Sequence, residues 1–366
     1  MWFRRLTIDN LRNIEVARLE LSPGLNFFHG ENGAGKTAVL EAVHLLARGR
    51  SFRTPHSAEL IRQGADRVGV SAVIEDEHRG EQRVGLAKSR GGRTEVRING
   101  ESGRRLSQVA LLLPLQVMAP SLSDLVFGAP SERRQWLDWG TFHVEHGYLD
   151  ALRSYLHALR QRNAALKAVG QGSLAADTLS VWTDEVVAHA GRVTDARRAY
   201  LREIEPLLLE AVEQLNPAMK IDLLFKQGWQ ESADLRKVLG DSLGREVKSG
   251  ITQSGPHRAD IEFRSSGMLA GAALSRGQGK ALASAMMLSQ ARLLMRTERR
   301  ASVFLIDDIG AELDQPHSER FFRLLSGLGS QILATANSAP ERSAEGLGLT
   351  PGATFHVEHG RVTQRD

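Results

Sequence analysis

Residues 30–37 read GENGAGKT, a Gly, four residues, then Gly-Lys-Thr. This is the spacing of a phosphate-binding loop, and the apolar run Leu25–Phe28 before it reads as the strand that feeds such a loop. Backbone N–H groups from Asn32 to Lys36 can wrap phosphate oxygens. Gly30, Gly33 and Gly35 let the main chain approach where a Cβ would collide, and Glu31 and Ala34 complete the cofactor-binding stretch. A helix beginning near Lys36 aims its positive end at the phosphates. Lys36 would reach the β- and γ-phosphates of ATP, and the Thr37 hydroxyl would ligate Mg²⁺.

Two other segments carry matching chemistry. Val303–Ile306 is β-branched or bulky at every position, as in a strand buried on both faces, and ends in Asp307-Asp308. Acids at such a strand end sit beside the phosphate loop. Asp307 would hold Mg²⁺, and Asp308 would orient or deprotonate an attacking water, with Lys36 beside it as the second catalytic group. Leu274–Lys280 reads LSRGQGK. Ser275 is a good N-cap for a helix from Lys280 to Arg296, Gly277 leaves the backbone open, and Gln278 offers side-chain donors. That helix start suits an anion.

The elements that must position these residues alternate in type. Residues 1–28 give short strands with a turn at Asn10–Asn13, and the helix after the loop places Val39, Leu40, Val43 and Leu46 at helical spacing. Val68–Asn99 alternates like strands around a Gly91-Gly92 turn. After Pro120 the periodicity turns helical. Leu149, Leu152, Leu156, Leu159 and Leu166 mark one helix, and Trp182–Leu215 a longer one. Mixed strand and helix return after Ile251. The expected fold is α/β, with an all-helical lobe inserted into the nucleotide domain. The divisions are 1–118 for the first part of that domain, 119–250 for the lobe and 251–366 for the second part.

With 366 residues, two lobes can each bury a core. No cysteine is present, which excludes disulfides, thiol nucleophiles and thiolate-bound zinc. Arg4 and Arg5 are not followed by an apolar leader segment, and no apolar run spans a bilayer, so a cytoplasmic protein is expected. The net charge is +4, and 8 of the 47 basic residues are Lys. An Arg bias of this kind follows from phosphate contacts or equally from a GC-rich genome. Arg133-Arg134 and the set Arg153, Arg160, Arg162 and Lys167 are candidates for a DNA face or for a solvated helix side. Asn163 falls on the apolar stripe, which suggests a buried polar contact. Arg48, Arg50 and Arg53 could reach nucleotide or DNA. TFHVEHG occurs at 141–147 and at 354–360, but His143 and His146 lack a matching set of metal ligands.

Together the motifs resemble those of ABC-type ATPases, in which LSxGQ is the signature. Within that class the chain closely resembles the RecF family of bacterial recombination-repair proteins. The resemblance rests on GENGAGKT with LEA at 40–42, GRSFRT (49–54), PSERRQWLDWGTFH (130–143), LRQRNAALK (159–167), SGPHRAD (254–260), LSRGQGK and LIDDIGAELD (305–314). It implies an ABC-type P-loop ATPase head that pairs head to tail with a second copy when ATP binds. Ser275, Gly277 and Gln278 would then contact the partner's γ-phosphate, and Asp314 would lie at the dimer seam. Gln116 matches the position of the glutamine that senses Mg²⁺ and nucleotide. The implied function is an ATP-gated clamp on DNA at single-strand/double-strand junctions, working with RecR- and RecO-type partners to load RecA recombinase and hydrolysing ATP slowly. The alternative is an ABC ATPase subunit that acts through a protein or membrane partner. Four departures stand out: Leu11 where Phe is usual, Gly279 where a second Gln is usual, no switch histidine in ILATANS (332–338), where Thr335 or Asn337 could substitute, and Asp308 where transporters carry Glu, a shorter acid that implies slow turnover.

Overall fold

The computed structural model describes residues 1–174, 177–309, 315–337 and 350–365. Along the chain, the first elements are β1 (Trp2–Leu11), β2 (Ile14–Glu20), β3 (Leu25–His29), α1 (Lys36–Arg48), β4 (Arg67–Asp76), β5 (Gly80–Ser89), β6 (Thr94–Ile98), β7 (Glu101–Ser102), α2 (Leu106–Leu112) and β8 (Leu115–Met118). Next come α3 (Asp124–Phe127), α4 (Pro130–Val144), α5 (Tyr148–Gly170), α6 (Thr178–Leu215), β9 (Asp222–Lys226), α7 (Leu235–Ser249), β10 (Asp260–Ser265), β11 (Met268–Leu269), α8 (Ala270–Ala273) and α9 (Arg276–Glu298). The last are β12 (Val303–Ile306), α10 (Gln315–Ser326), β13 (Ile332–Ala336), β14 (Pro351–Glu358) and β15 (Arg361–Arg365). No helix among the described residues is long and apolar enough to cross a membrane.

The chain divides into two compact units. The first comprises 1–122, 214–216 and 280–366, and the second comprises 123–213 and 217–279. In the first, an antiparallel sheet runs β2-β1-β4-β5-β6-β7 and a mixed sheet runs β15-β14-β3-β13-β12-β8. β14, β3, β13, β12 and β8 are parallel, and β15 closes a hairpin on β14. The central strands LNFFH, VFLI and ILATA are buried at every residue, the pattern of parallel strands covered on both faces. β1 and β4 instead alternate, with one face inward.

α1 belongs to both sheets. It packs on β1, β4 and β5 of one and on β13 of the other. Eleven of its thirteen residues are therefore buried, and it lacks the polar stripe of a surface helix. Its apolar side chains join Phe3, Leu6, Ile74, Leu305 and Phe355 in one core. Burial also takes in polar groups. Burial pushes His44 down to about 3, and its Nδ1 donates to the Arg50 carbonyl at 2.6 Å. Arg48 donates to the Leu115 carbonyl at 2.8 Å.

The second unit is mainly helical, with a core of Tyr148, Tyr155, Val186, Val193 and Leu239. Beyond the helices expected there, it carries the sheet β11-β10-β9. β9 hides this from the sequence, because it exposes alternate residues and only half-buries Leu223 and Phe225. The same sheet explains a difference in the limits. The sequence divides at 118/119 and 250/251, whereas the compact unit runs from Ser123 to Gly279. β10 pairs with β9 from Asp260↔Lys226 to Arg264↔Asp222 and so stays in this unit.

Several residues read as a possible DNA face are internal here. Arg162 is 1% exposed, 2.7 Å from Glu246, and donates to Thr252 Oγ1. Arg133 makes a bidentate pair with Asp260, and Arg134 donates to the Ala259 carbonyl. Asn163 makes a polar contact, half-buried rather than buried, accepting from Thr252 N and Oγ1. His143 sits at the end of α4, where the first TFHVEHG copy breaks the helix, while the second copy forms the β14–β15 hairpin. Among the described residues, no group of three or more His, Asp or Glu is gathered to hold a metal.

Candidate nucleotide site

Parallel strand order places the motifs. β3 lies next to β13, and β13 next to β12, so the phosphate loop, the end of β13 and the acidic pair leave the sheet side by side. Such crevices beyond the carboxyl ends of parallel strands are where ligands bind in these sheets. A cavity of about 520 Å³ opens there. Its lining includes Asn32, Gly33, Gly35, Lys36, Thr37, Asp307 and Asp308 from the sequence motifs.

Lys36 is buried, and its Nζ donates to the carbonyls of Gly30 (2.7 Å) and Glu31 (2.8 Å) and to Asn337 Oδ1 (3.0 Å). Burial lowers its pKa, and the charges of Asp308 and Asp307 pull it back. An ammonium held among three oxygens is placed for phosphate oxygens. The Ala34 carbonyl accepts from Asn13 Nδ2 at 2.9 Å and from Gly360 N at 2.8 Å, which braces the loop from outside. Gly35 has φ +116, and a Cβ there would lie 2.8 Å from Asn13 Oδ1, so glycine is required on both counts.

Thr37 Oγ1 donates to Asp307 Oδ1 at 2.9 Å, and Thr335 Oγ1 donates to the same oxygen at 3.0 Å. Asp308 N donates to Thr335 Oγ1 at 2.8 Å. Asn337 Nδ2 lies 3.5 Å from Asp308 Oδ2. Thr335 therefore ties the two aspartates together in the segment that lacks a histidine. Asp308 has φ +62, a conformation that non-glycine residues rarely adopt. A hydroxyl beside a carboxylate is a hard-oxygen donor pair that fits Mg²⁺.

Other parts of the lining had no assigned role in the sequence. Arg12 and Glu59 reach the cavity, as do Glu41 and Thr54. The Glu41 carboxylate is fully buried, accepts a bidentate pair from Arg12 (2.8 and 3.0 Å) and accepts Ser51 Oγ at 2.5 Å. The signal was present in the NLRN turn, LEA and GRSFRT, but their pairing is long-range. Of the three arginines at and beyond the end of α1, Arg53 lines the cavity and Arg48 is committed to the interior.

Gln116 is not in the lining. It lies within β8 and donates to Gln290 Oε1 of α9 at 3.1 Å. β8 is buried along most of its length, and the end of that strand, Met118, is what meets Asp307, whose N–H donates to the Met118 carbonyl. Asp314 lies outside the described residues.

The signature belongs to the second unit. Ser275 N donates to Gln278 Oε1 at 2.9 Å, and Gln278 N donates to Ser275 Oγ at 3.3 Å, a reciprocal capping box that opens α9 at Arg276. Ser275 and Gly277 are exposed. Gly279 is buried, and a Cβ there would run into the ring of Phe127. The ring fills the space that a second glutamine would need.

The comparisons agree with this geometry. The family described as the RecF/RecN/SMC N-terminal domain matches residues 2–345. The DNA replication and repair protein RecF of Shewanella denitrificans is 39% identical over 99% of both chains. A solved structure described as the recombination mediator protein RecF-ATP in the RecFOR pathway superposes with a TM-score of 0.90. It has 23% identity and covers 100% of this chain and 98% of its own. An Smc head bound to the C-winged helix domain of ScpA gives a TM-score of 0.61 at 15% identity, over 100% and 98% of the chains. Fold and site thus define an ABC-type P-loop ATPase head of the RecF/RecN/SMC class. The chain belongs to the RecF family.

Proposed function

We propose that this chain is an ATP-dependent DNA-binding protein of recombinational repair and replication restart. One observation carries the reading. The Thr37 hydroxyl and Asp307 carboxylate stand 2.9 Å apart in the cavity that also holds the Lys36 ammonium. Lys36, now on the carbonyls of Gly30 and Glu31, would hold the β- and γ-phosphates of ATP. Thr37 and Asp307 would hold Mg²⁺, which would supply positive charge against the phosphates. Asp308, fixed through Thr335, orients the attacking water. Its short side chain supports slow turnover, so hydrolysis serves as a switch.

Ser275, Gly277 and Gln278 are exposed or half-exposed at a capped helix start, which suits the γ-phosphate bound by a second copy. Two copies closing on two ATP molecules would bring two DNA-binding surfaces together, and phosphate contacts would then add. The proposed partners are single- and double-stranded DNA at junctions and RecR- and RecO-type mediators, with RecA loading as the outcome.

The test is fluorescence anisotropy on blunt duplex and gapped DNA, with Mg-ATP, with ADP and without nucleotide, at two salt concentrations. Tight, salt-sensitive binding is expected only with Mg-ATP. Lys36→Arg should abolish both nucleotide and DNA binding, while Ser275→Arg should spare nucleotide binding and lose DNA. Absence of DNA binding under every nucleotide would leave an ATPase that acts through a protein partner.

A further inference from the structure

The segment SGPHRAD takes no part in the nucleotide site, yet most of its residues from 256 to 260 are anchored. Arg197, 2% exposed, donates to the Pro256 carbonyl at 2.8 Å and pairs with Asp138. His257 Nε2 lies 3.0 Å from the Thr252 carbonyl, so it must donate there. Nδ1 is then the acceptor for the Tyr155 hydroxyl at 2.6 Å. Arg134 donates to the Ala259 carbonyl, and Arg133 holds Asp260. Residues 256, 257, 259 and 260 are therefore pinned by separate partners.

Arg258 is the exception. It is exposed, and its guanidinium has no hydrogen bond or ion pair among the described residues. It lines a cavity of about 440 Å³ together with Leu224, Phe225 and Trp229. The other charges of this lining are already matched. Lys226 pairs with Glu262, Asp260 with Arg133, and Glu231 with Arg198. One positive charge is left over.

The cavity borders an open sheet edge. β9 ends the order β11-β10-β9, and its groups facing away from β10 have no partner among the described residues. Leu224 on this strand is 44% exposed. An edge strand beside a pocket is how folded domains take up an extended peptide, with main-chain hydrogen bonds for affinity and side-chain pockets for choice. A DNA strand fits less well. It would meet a single unmatched cation, where a backbone of successive phosphates calls for several, and would leave the strand edge unused.

We propose that β9 and the cavity at its end form a docking site for an extended segment of a partner protein, carrying one carboxylate next to an apolar residue. The segment pairs with β9 as an added strand. Its carboxylate meets Arg258 as a bidentate pair, and its apolar residue covers Leu224 and Trp229.

The full chain is tested against a displayed library of random twelve-residue peptides. Enriched sequences are then synthesised and titrated by fluorescence anisotropy. Acidic–apolar sequences are expected. Arg258→Glu should weaken them at least roughly tenfold, and Arg258→Lys should keep part of the affinity. Leu224→Asp, or N-methylation of alternate peptide amides, should also abolish binding. Arg258 is exposed and unpaired, so the thermal midpoint should not move. The proposal falls if no sequence class is enriched, or if enriched peptides bind Arg258→Glu as well as the unchanged chain. It also falls if Arg258→Glu leaves peptides untouched and instead weakens gapped DNA in Mg-ATP.

Discussion

At the scale of single residues, Thr335 organises the acidic pair. Its hydroxyl gives its proton to Asp307 and takes one from the Asp308 amide, and it is 1% exposed. Thr335→Val keeps the shape and removes both bonds. We expect the Mg²⁺ concentration needed for half-maximal ATP binding to rise roughly tenfold, about the worth of one hydrogen bond to a charged group. Thr335→Ser should restore it. A fluorescent ATP analogue titrated with Mg²⁺ reads both, and an unchanged Mg²⁺ requirement would deny Thr335 this role. The cavity-lining residues of GENGAGKT were legible, because that loop needs no distant partner to be recognised. Residues defined by distant partners were not. Arg162 shares its helix with exposed basic residues, and nothing in spacing reveals that Glu246 lies against it. Gln116 lies outside the cavity lining on Gln290, a neighbour 174 positions away that motif position does not reveal. Arg12 and Glu41 meet across 29 positions of sequence, and no short window contains both.

At the scale of elements, α1 couples the two sheets and carries a titratable group into the core. His44 is neutral in the fold and titrates near its ordinary value once unfolded. A histidine with a lowered folded pKa contributes stability above pH 6.5 and loses it as pH falls toward about 3. At pH 5 the loss is about 2 kcal/mol. Urea unfolding midpoints at pH 7.5 and 5.0 should therefore diverge, and His44→Gln should diverge less. Equal divergence in both proteins would place the acid sensitivity elsewhere. The helix itself was legible from its apolar spacing. Its burial on all sides was not, since that depends on β13, which arrives almost 300 residues later in the chain. β9 was missed because its apolar run, Leu223–Phe225, is too short to tell a strand from a turn of helix.

At the scale of the whole molecule, the two units have separate cores, and the nucleotide cavity is lined by the first alone. Calorimetry should then resolve two heat absorptions. Mg-ATP should raise the one that belongs to the first unit. Arg162→Met, which strands the buried Glu246 carboxylate, should lower the other by about 3–5 kcal/mol of unfolding free energy. A single transition that responds equally to both would show that the units unfold as one. The inserted lobe was legible as a change of periodicity after Pro120, and its limits were not, because strand pairing between β9 and β10 sets them.

The strand order of the mixed sheet also dictates a schedule. β3, which leads into the phosphate loop, is flanked by β13 and β14. Both leave the ribosome about 300 residues after it, a wait of roughly 15–60 s at ordinary elongation rates. For that interval the antiparallel sheet from β1 to β7 can assemble, while Phe27 and Phe28 have no strand to lie against. The nascent chain must shelter them until its last strands are made, and a message truncated before β13 yields no nucleotide site at all.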